Sequence, residues 1–402
     1  MLKAVRVSMS FYADPAFFVF LAVALIPSVI LGVLGKPIQK YGLVVSVVFL
    51  GLLFFRDLYG ACSFALFLVI SLGAMFLVNR WFQKESPHAV AYYRIALFVV
   101  LVPLICAKVS GAFNTNVLGF VGISYLTFKS VQVLIEIRDG LIKNPSFFDL
   151  LYFLLFFPVF TSGPIMRSRN FSEQLSEGLT RQEYAELLSQ GILWFIKGVM
   201  YTFVLSSFVQ WLMWFAPSAL GDATTAAFVG GQLIYGLAYG LHMFFDFAGY
   251  SLLAMGVGSC LGIRVPQNFN APFRSIDIKD FWNRWHMTLS FWLRDYVFMR
   301  VTKASLRRKW FKSRVTTACV SYLAMFFLMG VWHGLNLDCV LYGIYHGILL
   351  CACEIFQKKS KFYKNHRKKT WYKVGSWAIT MIAVFFGFAI IGGQVALLVL
   401  GA

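Results

Sequence analysis

Residues 315–353, VTTACVSYLAMFFLMGVWHGLNLDCVLYGIYHGILLCAC, decide the fold, because they hold two apolar runs that meet at one acid, Asp338. Each run approaches the roughly 20 residues that a membrane-spanning helix needs. Basic residues crowd both ends, with six Lys or Arg in 303–314 and eight in 358–373. Cytoplasmic loops collect Lys and Arg. The pattern therefore predicts a helical hairpin with both basic stretches in the cytoplasm and Asp338 outside.

The composition of the whole chain extends this interpretation. Of its 402 residues, 59% are hydrophobic and only 13% are charged, against roughly a quarter charged in soluble domains. A soluble fold could not bury so much apolar surface, so we expect a polytopic membrane protein. The net charge is +19, and thirteen of these charges fall in the two basic stretches once Glu354 is counted. A basic balance can indicate nucleic acid binding, but no soluble domain is present to carry such a site.

Apolar segments run nearly end to end, which predicts an all-α fold of about eleven transmembrane helices with additional re-entrant and interfacial helices. We expect one membrane-embedded domain over residues 1–402. The predicted helices are Pro15–Gly35, Tyr41–Phe55, Leu58–Val78, Tyr92–Ala107, Val117–Ile135, Leu150–Phe160, Gly191–Phe215, Ala226–Phe245, Gly249–Leu261, Val315–Leu337, Cys339–Cys353 and Gly375–Leu400.

One of these segments, Leu150–Phe160, is too short to span, and Gly163 and Pro164 follow it closely. Broken backbone at membrane depth is tolerated only inside protein or beside a water-filled cavity, so the segment points to a cavity. The seven cysteines show no zinc spacing and are interpreted as small buried hydrophobes. We expect no metal site.

The Lys and Arg content of the first loops predicts the side of the membrane on which the N-terminus lies. Positive charge between the first predicted spans exceeds that ahead of them, which favours an extracellular N-terminus and cytoplasmic basic loops. The residues compared are Lys36, Lys40, Arg80 and Lys84 against Lys3 and Arg6.

A histidine lies at the far end of the first hairpin helix. An unbroken helix would place His333 about 28 Å from Arg314, toward the outer leaflet. Its segment, GVWHG at 330–334, could be part of an interfacial aromatic belt. The residues alone favour that structural role and a functional role equally. Neutral imidazole is the natural general base near pH 7.

Residues 281–300, FWNRWHMTLSFWLRDYVFMR, mix charges with tryptophans and predict a helix in the interface or against the bundle. On such a helix His286 would share a face with Trp282 and Ser290. The sequence favours a packed interfacial helix and a functional helix equally.

Two further groups of polar residues fall on predicted spans. The i, i+4 pair His242 and Asp246 would meet on one helix face, and a helix-packing hydrogen bond is favoured over catalysis. A second set, spaced by 4, 3 and 4, forms one stripe that must face protein or a cavity. A structural ion-pair stripe is favoured there over substrate contact. Its members are Tyr125, Lys129, Gln132 and Glu136.

The order of several motifs resembles the membrane-bound O-acyltransferase family. These motifs are FDFAGYS at 245–251, VPQNFNAPF at 265–273, DFWNRWHMTLSFWLRDY at 280–296 and GVWHG at 330–334. With FFPVFTSGPIMR at 156–167 and the polar stripe, the resemblance covers an acyltransferase core over residues 120–350. It is strongest to members that transfer D-alanine to lipoteichoic acid in Gram-positive bacteria. The tail after Gly393 matches no family feature.

The resemblance implies a site as well as a fold. His333 matches the family's catalytic histidine and His286 its second motif histidine, around a central tunnel through the membrane. His333 would take the proton of an acceptor hydroxyl, and His286 would orient or polarise a reacting group. The residues expected to line the tunnel are Asn283, Trp285, Trp332, Asp246 and Lys129.

The resemblance also implies partners. The donor would be D-alanine held as a thioester on the phosphopantetheine arm of a small acidic carrier protein, so the chain itself would bind no cofactor. Other expected partners are lipoteichoic acid, further membrane or extracellular D-alanylation proteins and the bilayer. Carrier docking is expected on the basic stretch, where charge would steer an acidic partner; topology and anionic-lipid attraction are the alternative. The docking residues would be Met299, Val301, Arg307, Arg308 and Lys309.

Other functions stay open on the sequence. An O-acetylase of an extracellular polysaccharide would share the same core motifs. A transporter or flippase would use intramembrane charges to line a substrate path, and a non-catalytic scaffold would need neither histidine.

Overall fold

A computed structural model describes residues 11–220 and 225–393, with side chains described except at 216–233. Every regular element in these ranges is helical, which confirms the all-α class. In chain order the α-helices there are α1 (Pro15–Val33), α2 (Gln39–Phe54), α3 (Leu58–Gln83), α4 (Ala89–Ala112), α5 (Ile123–Arg138), α6 (Phe147–Leu155), α7 (Ser168–Glu177), α8 (Arg181–Val199), α9 (Ser207–Leu220), α10 (Thr225–Cys260), α11 (Ile278–Trp282), α12 (Met287–Leu293), α13 (Met299–Arg308), α14 (Arg314–His333), α15 (Leu337–Lys359), α16 (Lys361–His366) and α17 (Thr370–Ile391). Lys3, Arg6 and the tail after Gly393 lie outside the described residues.

Membrane-spanning character is confirmed for much of this helical set. Eight helices of the described residues are long and apolar enough to cross a membrane. They are α1, α3, α4, the continuous helix Arg181–Phe215, the Ile234–Cys260 part of α10, α14, α15 and α17. The predicted count of about eleven also included short elements: α2 has 16 residues, α5 has 16 and α6 has nine.

Two predicted stretches differ from the structure in their helical continuity. Ala226–Phe245 and Gly249–Leu261, predicted as two helices, are one helix, α10, because a single glycine costs a helix interior only about 1 kcal/mol. The predicted helix over 281–300 is interrupted after Trp282 and restarts at Met287. His286 therefore does not share a helix face with Trp282 and Ser290, and that prediction was wrong.

The contacts divide the chain into two compact units. One groups the described residues up to Gly198 with Tyr250–Pro266, and the other groups Val199–Gly249 with those from Gln267 onward. The prediction of a single domain with a core at 120–350 stays a prediction.

In the first unit α5 is buried on nearly every side, polar residues included. Lys129 Nζ donates to the Phe153 carbonyl at 2.8 Å, and Gln132 Nε2 donates to the Met166 carbonyl at 2.8 Å. Glu136 accepts from Ser168 Oγ at 3.3 Å. Lys129 and Gln132 thus satisfy backbone carbonyls of the broken 153–168 segment, as buried irregular backbone at membrane depth requires, and Glu136 binds a side chain of the same segment.

In the second unit α14 and α15 form the hairpin expected from the sequence, with Asp338 in the first turn of α15. The two helices approach closely at Gly330, where an added Cβ would lie 2.6 Å from the Cys339 carbonyl oxygen. Small residues at such crossings let helix backbones pack directly, as membrane helix pairs require. The hairpin holds His333 at the end of α14.

Candidate active site

His286 lies between α11 and α12, outside the eight candidate spans, and has an unusual backbone. Its φ is +42°, a left-handed conformation that few non-glycine residues adopt. Such strain costs on the order of 1–3 kcal/mol and concentrates at functional sites, where surrounding contacts hold it in place. The side chain is only 4% exposed. The chain therefore holds this imidazole in a fixed position.

Asn268 fixes the orientation of that imidazole. Its Oδ1 lies 3.1 Å from His286 Nδ1 and also accepts from Thr288 N at 3.3 Å and Thr288 Oγ1 at 2.9 Å. Because a backbone N–H can only donate, the Asn268 atom is the amide oxygen. Nδ1 of neutral His286 must then carry the proton, and Nε2 is left as an acceptor.

The surroundings also determine the charge of His286. Phe247 packs edge-on against the ring at 4.6 Å between centroids. Burial, with the positive charge of His333 as a second cause, lowers the pKa of His286 well below its ordinary 6.5. The imidazole is therefore neutral at physiological pH.

His333 differs from His286 in accessibility. It is the last residue of α14, directly before Gly334, and its side chain is exposed. Its ring lies 4.6 Å from the Trp332 ring and 6.2 Å from the Tyr342 ring, measured between centroids. The helix is unbroken from Arg314, which confirms the expected separation of about 28 Å between the two residues along the axis. This histidine can be reached by a substrate, whereas His286 is enclosed.

The predicted tunnel residues have different environments. Asn283 and Asp246 are exposed, and Trp332 is half-buried beside His333. Trp285 is buried among aromatic rings, with the Phe388 ring 4.9 Å away. These environments leave the tunnel assignment a prediction.

Contacts of His242 and of the tunnel candidate Lys129 favour structural roles. His242 Nδ1 lies 2.9 Å from Ser206 Oγ, so its bond is to another helix rather than to Asp246. Lys129, in the first unit, is 1% exposed and engages the Phe153 carbonyl. The choice between a structural and a functional role at these positions stays a prediction.

The predicted docking residues lie on or directly after α13. Met299 is 53% exposed and Val301 is half-buried. Arg307, Arg308 and Lys309 are exposed, and none of them forms an ion pair among the described residues. The opposite side of α13 is tied to α14 by Thr302 and Ser321, whose hydroxyls lie 2.8 Å apart.

Sequence reasoning missed two features. Asn268 was quoted within VPQNFNAPF but given no role. An asparagine two residues after a proline is a common loop residue, so only the family motif could have singled it out. Leu306 and Trp310 add exposed apolar surface beside the three cations, at 52% and 47% exposure. The available signal was the position of Leu306 on an amphipathic basic helix, with Trp310 directly after it.

The sequence pattern of the membrane-bound O-acyltransferase family (MBOAT) matches residues 88–400. The chain belongs to this family. It is thus a membrane O-acyltransferase, and the two histidines and Asn268 lie inside the matched region.

Individual members of the family are similar over nearly the whole chain. A teichoic acid D-alanyltransferase of Bacillus subtilis (strain 168) is 40% identical over 394 residues, 95% of this chain and 98% of that protein. One of Streptococcus thermophilus is 36% identical, over 95% of this chain and 94% of that protein. A probable alginate O-acetylase of Pseudomonas syringae pv. tomato is 31% identical over 69% of this chain, but over only 49% of its own length.

Proposed function

We propose that this membrane O-acyltransferase transfers D-alanine from a carrier-bound thioester toward teichoic acid hydroxyls, directly or through a protein relay. The observation that carries the proposal is the 36–40% identity to teichoic acid D-alanyltransferases over 95% of the chain. The matched alginate O-acetylases share a smaller part of the chain. Polysaccharide O-acetylation is therefore the second candidate, and it differs in its acyl donor.

His333 is the proposed general base. An acceptor hydroxyl attacks the thioester carbonyl while His333 takes the hydroxyl proton, forming the new C–O bond. Collapse of the tetrahedral intermediate breaks the C–S bond, and the same proton passes to the departing thiolate. The products are an O-D-alanyl ester and the free phosphopantetheine thiol. Exposure of His333 supports this role, because a base must reach the proton that it abstracts.

His286 has a narrower role than the base. With its proton on Nδ1 and committed to Asn268, its Nε2 can accept a hydrogen bond but cannot donate one. It is therefore suited to orient a hydroxyl or thiol and unsuited to stabilise an oxyanion. Asn268 is a positioning residue, because it acts through His286.

Orientation and donor entry complete the proposal. Basic loops in the cytoplasm and an extracellular N-terminus place α13 on the side where an acidic carrier protein resides. The phosphopantetheine arm brought by that carrier would enter a tunnel lined by Asn283, Trp285, Trp332 and Asp246 and reach His333 from the cytoplasmic side. The chain binds no cofactor of its own in this scheme.

The test follows thioester loss from a D-alanyl-loaded carrier added to the purified protein in lipid vesicles. We expect His333→Ala to slow discharge by about 10²–10⁴-fold, the range for loss of a general base. His88→Ala is the matched control, because His88 is exposed and precedes α4 in the first unit. Equal discharge by His333→Ala and wild type would refute the assignment, and discharge of only an acetyl-loaded carrier would favour O-acetylation.

A further inference from the structure

A cavity of about 820 Å³ lies within the second unit, between α15, α16, α17 and the segment 276–278. Its volume falls in the range of small-molecule sites, about 300–1,000 Å³. None of the residues assigned above to acyl transfer or carrier docking lines it. The proposed function therefore leaves this cavity without a role.

The walls of the cavity are apolar and lie on two membrane-spanning helices. Leu349 and Phe356 face it from α15, and Ile379 and Ala383 face it from α17. Phe356 is 42% exposed and Ile379 is 71% exposed. Side chains so exposed on spanning helices contact lipid, so this wall is open to an acyl chain from the bilayer.

Three cations stand at the other end of the same cavity. Arg367, Lys368 and Lys373 are exposed and line it. None of the three forms an ion pair among the residues that the structure describes. Trp371 and Tyr372 lie between them, and such rings are enriched at the level of lipid headgroups.

One acid, Asp277, also lines the cavity, but its oxygens are already engaged. Oδ2 accepts from Gln357 Nε2 at 3.0 Å, and Oδ1 accepts from the Asp280 backbone N–H at 2.9 Å. The three lining cations outnumber this single carboxylate. The polar end of the cavity therefore keeps a net positive charge that suits an anion.

We propose that this cavity binds an anionic phospholipid, with the phosphate at Arg367, Lys368 and Lys373 and an acyl chain along the α15–α17 wall. Basic pockets between membrane helices on the cytoplasmic side suit anionic headgroups, and the cytoplasmic leaflet is rich in anionic lipid. A free phosphate would leave the apolar wall unfilled. An acidic protein would contact only these three cations, because the apolar walls face the bilayer.

The experiment measures thermal unfolding of the detergent-purified full chain while phosphatidylglycerol or phosphatidylcholine is titrated. A lipid that binds the folded state raises the unfolding temperature as its concentration rises. We expect phosphatidylglycerol to stabilise wild type. The triple variant Arg367→Gln, Lys368→Gln, Lys373→Gln should need at least about tenfold more of this lipid for the same shift.

The matched control removes the same charge from the same basic stretch. Lys358, Lys359 and Lys361 are exposed, and none of them lines the cavity. Their triple change to Gln should leave the titration unchanged. Ala352→Trp, which fills the apolar wall without altering charge, should weaken the lipid effect as strongly as loss of the rim cations.

Several results would overturn the proposal. Equal losses in both charge variants would mean that the basic stretch attracts lipid without a defined site. Equal stabilisation by phosphatidylcholine would mean that charge plays no part in binding. Equal stabilisation by inorganic phosphate would mean that the acyl chain contributes nothing to binding. Because the readout is thermal stability without donor or acceptor, its failure is independent of any failure of the acyl-transfer proposal.

Discussion

At the residue scale, the sequence pointed to His286 but not to its conformation. The residues around it read as a continuous helix because Trp, Met, Leu and Phe all tolerate that state. The helix breaks because the Asn268 side chain and backbone hydrogen-bond to residues 286–288, and such bonds compete with helical ones. A partner 18 residues away cannot be inferred from local propensity. His333 was better predicted, because its position depends only on helix length.

Removing the Asn268 side chain tests its positioning role. Asn268→Ala leaves the buried His286 Nδ1–H without its acceptor, a loss of about 1–3 kcal/mol, and frees the ring to turn. We expect slower carrier discharge by at least about tenfold with an unchanged KM for the loaded carrier.

Thr288→Val is the matched variant for that test, because it removes another donor to the same oxygen and keeps the His286 bond. It should lower the unfolding temperature while largely preserving the discharge rate. Equal rate losses in the two variants would assign Asn268 a merely structural role.

The lowered pKa of His286 predicts an acid-sensitive fold. Below pH 6.5 this imidazole binds a proton more readily in the unfolded chain than in the folded chain. Stability from this group is therefore complete above pH 6.5 and falls as the pH drops below it. His286→Asn, which tolerates the left-handed backbone, should flatten the decline in unfolding temperature between about pH 7 and about pH 5. His88→Asn should decline as wild type does; a parallel decline in His286→Asn would contradict the prediction.

At the scale of elements, long apolar runs were predicted well and short ones poorly. The α14–α15 hairpin follows from two spans between basic stretches, so charge and length alone define it. α5 and α6 were harder, because an element buried inside protein needs neither the length nor the hydropathy of a lipid-facing span. The polar stripe on α5 was visible as spacing, but its backbone partners in 153–168 became evident only from the structure.

Gly330 tests how closely the hairpin helices must pack. Gly330→Ala would place a methyl group 2.6 Å from the Cys339 carbonyl oxygen. Neither atom can move away without a shift of the backbone. We expect a loss of about 1–3 kcal/mol, the usual cost of overpacking, seen as a lower unfolding temperature. Gly73→Ala on α3 is the control, since nothing lies within 4 Å of its added Cβ. A loss in both variants, or in neither, would mean that the close crossing is unimportant.

At the scale of the whole molecule, the charge excess separates into surfaces with different neighbours. The positive-inside rule predicts the same side of the membrane for both basic stretches, and the sequence could not distinguish them further. The structure does: residues 303–308 lie on α13, an amphipathic helix with exposed Met299 and Leu306, whereas 367–373 borders an apolar cavity. Amphipathic helices and cavities arise from three-dimensional placement, which a count of charges cannot supply.

Carrier docking should depend on the first of these surfaces. Reversing Arg307, Arg308 and Lys309 to Glu should weaken binding of the acidic carrier at least about tenfold at low salt, with the difference shrinking as salt rises. Binding of the loaded carrier to vesicle-embedded protein measures this. The charge-matched control reverses Lys358, Lys359 and Lys361 in the other basic stretch. An equal effect of both reversals would indicate steering by the overall field, and unchanged affinity in the α13 variant would leave the topology of the membrane as the sole reason for its charge.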